Sequence, residues 1–330
     1  MIRIAILAVI TLGLMVLNLF FGAIHIPSGE VWSALTGGDV SNEALRFIVI
    51  ESRLSQALTA LLAGASLAAS GLMLQTLFRN PLAGPSILGI TSGASLGVAV
   101  ILLMAGGAIT GSASGLGWSM AVTAGALAGS FVVMSILIVL SHRVRSNLTL
   151  LIAGMMTGYL ASSFVTLLSS TSTAKGLQSY VMWGMGTFTG VSLERMPWFA
   201  IICAAGLFIS LAMTKPLNLL LLGDNYAANL GVNVKRARLW LLISTGLLSA
   251  IVTACCGPIG FIGLSMPHIA RLIMRTDDHR LLLPATMLTG AIIALACSLL
   301  SVLPDGNVIP INALTPLAGV PVVLYVILKR

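Results

Sequence analysis

Charge is scarce in this chain. Only 8% of its 330 residues are Asp, Glu, Lys or Arg, against 58% that are hydrophobic. A soluble domain carries roughly a quarter charged residues, so a soluble globular fold is excluded. Aromatic residues are also few, at 6%. Four cysteines are present, Cys203, Cys255, Cys256 and Cys297. All lie in apolar runs without CxxC or metal-ligand spacing, which makes them small packing residues and not metal ligands. There is no GxxxxGK[ST] phosphate loop, so the chain has no nucleotide site of its own.

Carboxylates are missing where an ion-coupled carrier needs them. Glu30, Asp39, Glu43, Glu51, Glu194 and Asp305 fall at one set of loops and span ends, and Asp224, Asp277 and Asp278 at the other. A secondary transporter of a small solute, the alternative reading, wants an ionisable group or a polar cage at the midplane. Hydroxyls and backbone carbonyls remain its sole resource here. If the chain moves a solute uphill, the energy has to come from a partner.

What is present is apolar length. Mean hydropathy is +1.06, and the runs are long and not alternating, so the fold is an all-α integral membrane protein. Ten spans are expected, at residues 4–23, 54–78, 86–104, 118–140, 148–170, 196–213, 239–256, 259–274, 281–303 and 308–328. They form a single transmembrane domain over 1–330. The first run resembles a signal peptide but is long for one. Gly and Pro interrupt the third and eighth spans, and Gly257-Pro258 forces a break between the seventh and eighth. Small residues at four-residue spacing, Ala60/Gly64/Ala68 and Gly125/Gly129, mark close helix contacts. The segment 79–85 is a rigid turn, and 106–117 a flexible loop.

Lysine and arginine set the orientation. With the N-terminus inside, 13 of the 17 fall on the inner side. These are Arg3, Arg79, Arg143, Arg145, Lys215, Lys235, Arg236, Arg238, Arg271, Arg275, Arg280, Lys329 and Arg330. Arg46, Arg53, Lys175 and Arg195 are left outside. Cytoplasmic loops collect such cations, so both termini are expected in the cytoplasm. The net charge of +8 records these loops and not a nucleic-acid partner.

The stretch 215–238, KPLNLLLLGDNYAANLGVNVKRAR, is the longest cation-bearing segment between apolar runs. Asp224 is a good helix cap and Gly231 a good stop, the latter at positive φ. That predicts a two-turn cytoplasmic helix between the sixth and seventh spans, with Ala227 and Ala228 on its surface. It is expected to plug into a separate ATPase. Of the histidines, His25, His142 and His279 are expected in water. His268 is expected near a helix start, bonding local backbone.

Several segments resemble the permease subunits of iron-siderophore, haem and cobalamin ABC importers. They are RLSQALTALLAGASLAASGLMLQTLFRNPLAGPSILGITSGASLG at 53–97, LLGDNYAANLGV at 221–232 and GPIGFIGLSMPHIARL at 257–272. LLLPATMLTGA, leading into IPINALTPLAGVPVV, is a fourth. The matches run in family order over nearly the whole chain.

The resemblance implies a ten-helix permease in the bacterial cytoplasmic membrane, paired with a second permease subunit. Two ABC ATPases would bind the inner face, carrying ATP and Mg, while this chain holds no cofactor. An extracytoplasmic binding protein would deliver a metal chelate. Coupling to the ATPase would use Gly223, Asp224, Ala227, Ala228, Leu230 and Gly231. The fifth span would line the path, with Asn147-Leu148 as the inner gate and the hydroxyls of Thr149, Ser162 and Thr166 along it. Arg53 would anchor the binding protein. The chain departs from the family pattern at Gln56, at 296–301 and at Val308, where charged residues are usual. An assembly or regulatory subunit with a permease fold is a further alternative.

Overall fold

The computed structural model describes residues 1–104, 116–144, 146–302 and 309–328. Most of the expected 106–117 loop, together with Arg145, Asp305, Val308, Lys329 and Arg330, lies outside the described residues. The described chain is helical, and no strand occurs in it. The helices are α1 (Ile2–Phe20), α2 (Ser28–Thr36), α3 (Glu43–Phe78), α4 (Ile90–Met104), α5 (Leu116–Arg143), α6 (Asn147–Thr171) and α7 (Ala174–Gly184). They continue as α8 (Met196–Ala212), α9 (Thr214–Leu221), α10 (Asp224–Asn229), α11 (Val234–Cys256), α12 (Ile262–Met274), α13 (His279–Ser301) and α14 (Ile311–Leu328). Six of them are long and apolar enough to cross a membrane, and α8 and α9, bent by 50°, make a seventh if taken as one span. Three shorter apolar helices, Ile90–Met104, Ile262–Met274 and Ile311–Tyr325, stand among these.

Several boundaries differ from expectation, each for a local reason. The second span does not start near Leu54. It is the end of a 36-residue helix that begins at Glu43 and passes through a π-type turn at Ile48–Leu54. Arg46, Glu51 and Arg53 therefore sit on a helix and not in a loop. The third and eighth spans start late, at Ile90 and Ile262, because Gly89 (φ 76°) and Phe261 (φ 66°) hold left-handed conformations just before them. The helices α2, α7 and α9 were not expected. Lys215-Pro216 looked like a loop, but proline is tolerated in a helix's first turn, and α9 begins at Thr214.

Helix α3 is the axis of the bundle. Residues 63–78 are buried all round, and α11, α12 and α13 pack along it. The approach is close because glycines meet backbones. A Cβ built on Gly71 would stand 1.7 Å from the Gly263 carbonyl oxygen, and one on Gly64 2.3 Å from that of Gly290. The Gly125/Gly129 stripe on α5 meets Gly97 and Gly93 of α4 in the same manner. In a membrane, such contact stands in for the hydrophobic drive that lipid removes. Helix α6 is different. It rests on the turn just before α4, Gly154 against Leu88 and Gly158 against Gly89, and leaves Leu148, Met156, Tyr159, Leu160 and Leu167 exposed.

Candidate functional site

The charged end of the bundle is built around one carboxylate. Gly223 (φ 109°) ends the turn after α9 in a conformation open to glycine. It also occupies the capping position of α10, so Asp224 is the first helical residue and not the cap. Its carboxylate reaches away from the helix. One oxygen lies 3.3 Å from Arg79 Nη2, just past the left-handed end of α3. The other lies 3.5 Å from Arg238 Nη2 on α11 and accepts a 3.2 Å bond from Asn147 Nδ2 on α6.

These partners carry the node further. Asn147 Nδ2 also donates to the Leu77 carbonyl at 2.9 Å, tying the start of α6 to the end of α3. Arg238 Nη1 donates to the Val144 carbonyl at 3.2 Å, just beyond α5. Asp224 thus joins α3, α6, α10 and α11 at one point, with the chain after α5 attached through Arg238. The Arg238 side chain is 7% exposed and Arg79's is 50% exposed, so the two pairs differ in strength. The Arg79 pair is screened and contributes roughly 0.2–1 kcal/mol. Arg238 is out of water and depends on Asp224.

Helix α10 presents two faces. Ala227, expected at its surface, is buried, whereas Ala228 is exposed. Tyr226 and Leu230 project outward beside it, at 66% and 58% exposure. Gly231 closes the helix at φ 86°.

Along α6 the expected path residues divide. Leu148 and Thr149 are exposed, and Asn147 is half-buried in the node. Ser162 donates to the Gly158 carbonyl and Thr166 to that of Ser162, so these hydroxyl protons are spent on their own helix. Arg53, expected at the far face as an exposed anchor, is buried at 6% exposure. Its Nη1 donates to the carbonyls of Leu19 and Phe20, at 3.0 and 2.9 Å, and its Nη2 to that of Ile24. It closes the end of α1.

The two interior histidines also depart from expectation. His268 lies within α12, and its Nε2 is 2.9 Å from the distant Pro81 carbonyl. His279, expected in water, is fully buried, with Nε2 2.8 Å from Thr76 Oγ1 and Nδ1 2.8 Å from Asn218 Oδ1. Asn218 Nδ2 donates to Asp278, whose carboxyl is held below its ordinary value chiefly by the Arg280 backbone N–H, then by Asn218. At the same end, Arg3 Nη1 donates to the carbonyls of Ile273 and Met274.

A multi-pass helical membrane protein with one short helix, α10, at its cation-rich end is the class this geometry defines. The FecCD transport family model matches residues 9–329. The vitamin B12 import system permease protein BtuC of Salmonella typhi is 36% identical over 319 residues, covering 96% of this chain and 94% of the relative. BtuC of Salmonella newport matches to the same extent. Among solved structures, an inward-facing transporter assigned to the metal-chelate type of ABC transporter superposes with a TM-score of 0.84 at 29% identity, covering 99% of both chains. PsaBC from Streptococcus pneumoniae in complex with Fab, at 15% identity and a TM-score of 0.54, shares the fold. This chain belongs to the FecCD transport family.

Proposed function

We propose that this chain is the membrane permease subunit of an ABC importer of a metal chelate, such as cobalamin, a ferric siderophore or haem. The family match and the BtuC relatives support that reading. The observation that carries its mechanism is the Asp224 node. It links the exposed surface of α10 to the first residue of α6 through a single side chain.

In this reading the permease is one domain of ten crossings, counting α8 with α9 as one and including the three short apolar helices. Both termini face the cytoplasm, in the bacterial inner membrane. ABC ATPases holding ATP and Mg seat on Tyr226, Ala228 and Leu230, and their closure pulls on α10. Asp224 passes that displacement to Asn147, and so to Leu148 at the inner mouth of the path. The open face of α6 meets a second permease subunit, across which the chelate passes. An apolar constriction with one small polar group gates without charge. An extracytoplasmic binding protein delivers the chelate, and the burial of Arg53 argues that it docks without that residue.

Reconstitution with the cognate ATPase and binding protein tests this. Uptake of cobalamin or a ferric chelate that depends on ATP and the binding protein is the expected outcome. Uptake driven by a proton or sodium gradient, with no need for an ATPase, would overturn it.

A further inference from the structure

At the opposite end of the bundle from the Asp224 node, a cavity of about 840 Å3 opens between α1, α3 and α13. Its polar lining comes from Asn18, His25, Ser52, Arg53, Gln56 and Ser298. Among the described residues, no carboxylate lines it. The buried Arg53 guanidinium has three carbonyl partners at the end of α1 and, among the described residues, no carboxylate within pairing distance. Helix-end carbonyls offset about half a charge, so these carbonyls by themselves leave the cation partly unneutralised in a site largely removed from water.

One edge of the guanidinium lacks a protein acceptor. Its Nε–H makes no hydrogen bond among the described residues, and the side chain lines the cavity. Gly22 packs against that edge so closely that a Cβ there would stand 2.8 Å from Nε. Any side chain at position 22 would crowd the edge. Gln56 Nε2 donates to Ser298 Oγ at 3.1 Å, which holds two further polar groups on the wall. A free guanidinium edge, with hydroxyl and amide groups nearby, fits an oxyanion.

The surroundings say what carries that oxyanion. The cavity lies where α1 and α13 end, at Phe20 and Ser301, which is the depth of lipid headgroups if these helices span the bilayer. Its rim includes Leu17, Phe21 and Ile24, each more than 40% exposed. An acyl chain can lie on that rim while the headgroup enters. We infer that this cavity binds the phosphate group of an anionic phospholipid, with Arg53 as its counter-ion. The site does not depend on the cargo or on the transport mechanism.

Native mass spectrometry of the full-length permease, released from nanodiscs of equal phosphatidylglycerol and phosphatidylcholine, tests it. The parent should retain phosphatidylglycerol over phosphatidylcholine by about fivefold or more. Arg53→Gln should bring the two lipids to parity. Ser52→Glu places a carboxylate at an exposed position of the cavity wall and should do the same, which keeps the test open if Arg53→Gln fails to fold. Millimolar inorganic phosphate should leave the retained lipid in place. Parity in the parent, or an unchanged preference in Ser52→Glu, overturns the inference. So does displacement of the lipid by inorganic phosphate, which would make the site one for a free anion.

Discussion

The two ends of this bundle handle buried arginine in opposite ways. At one end Arg238 meets Asp224, and the pair is shared with Arg79 and Asn147. At the opposite end Arg53 meets, among the described residues, backbone carbonyls alone. A charge pair ties several elements to one point, and its members are lost or kept together. A cation on a helix end ties one element and leaves a field that an outside anion can answer. The first end suits the transmission of displacement proposed above, and the second holds the end of α1.

The largest effect should come from the exposed face of α10. Ala228→Trp adds bulk where an ATPase is proposed to seat, and is expected to abolish association with the ATPase while unfolding in detergent stays unchanged. Ala227→Trp enters the buried face and should instead destabilise the permease itself. Pull-down and thermal unfolding of both variants separate the two faces.

The comparison of the arginines is broken most directly at Asp224. Asp224→Ala leaves Arg238 unpaired and out of water, and is expected to cost about 3 kcal/mol. Adding Arg238→Leu should recover most of that loss. Denaturant titration of the single and double variants measures it, and equal loss in both would contradict the pairing. Gly231→Val is smaller. Nothing lies within 4 Å of the added Cβ, so the cost is the left-handed backbone alone, on the order of 1–2 kcal/mol. The same titration, set against Gly231→Ala, checks it.

The smallest effect concerns acid. Asp278 is an exposed cap whose carboxyl is lowered from 3.8. A lowered folded value contributes stability that is present above the unfolded value and lost as pH falls through the folded one. The turn between α12 and α13 should loosen below about pH 4, read as faster amide exchange at residues 276–281. Asp278→Asn should remove that pH dependence.

Much of the fold was legible in the sequence because hydropathy and helix breakers act locally. The long apolar runs, the break at Gly257-Pro258, the small-residue stripes and the positive φ of Gly231 all depend on near neighbours. What was not legible depends on residues far apart in the chain. Asp224 looks like a cap because its partners, Arg79 and Arg238, are distant in sequence. Arg53 looks like a surface anchor because nothing near it signals that the carbonyls of Leu19, Phe20 and Ile24 will absorb its donors. His279 follows two aspartates and reads as a loop residue, yet Thr76 and Asn218 enclose it. The charges of α3 between Arg46 and Arg53 masked a helix that extends to Glu43.

The central claim is that the Asp224–Asn147 contact passes ATPase motion to the start of α6. Asn147→Ala removes the contact without touching the exposed face of α10. The direct measurement is chelate uptake per ATP hydrolysed, in vesicles holding the permease, its ATPase and its binding protein. The predicted result is ATP hydrolysis at the parent rate with uptake per ATP reduced several-fold. A parental ratio of uptake to hydrolysis in Asn147→Ala, with the protein folded and the ATPase bound, would contradict it.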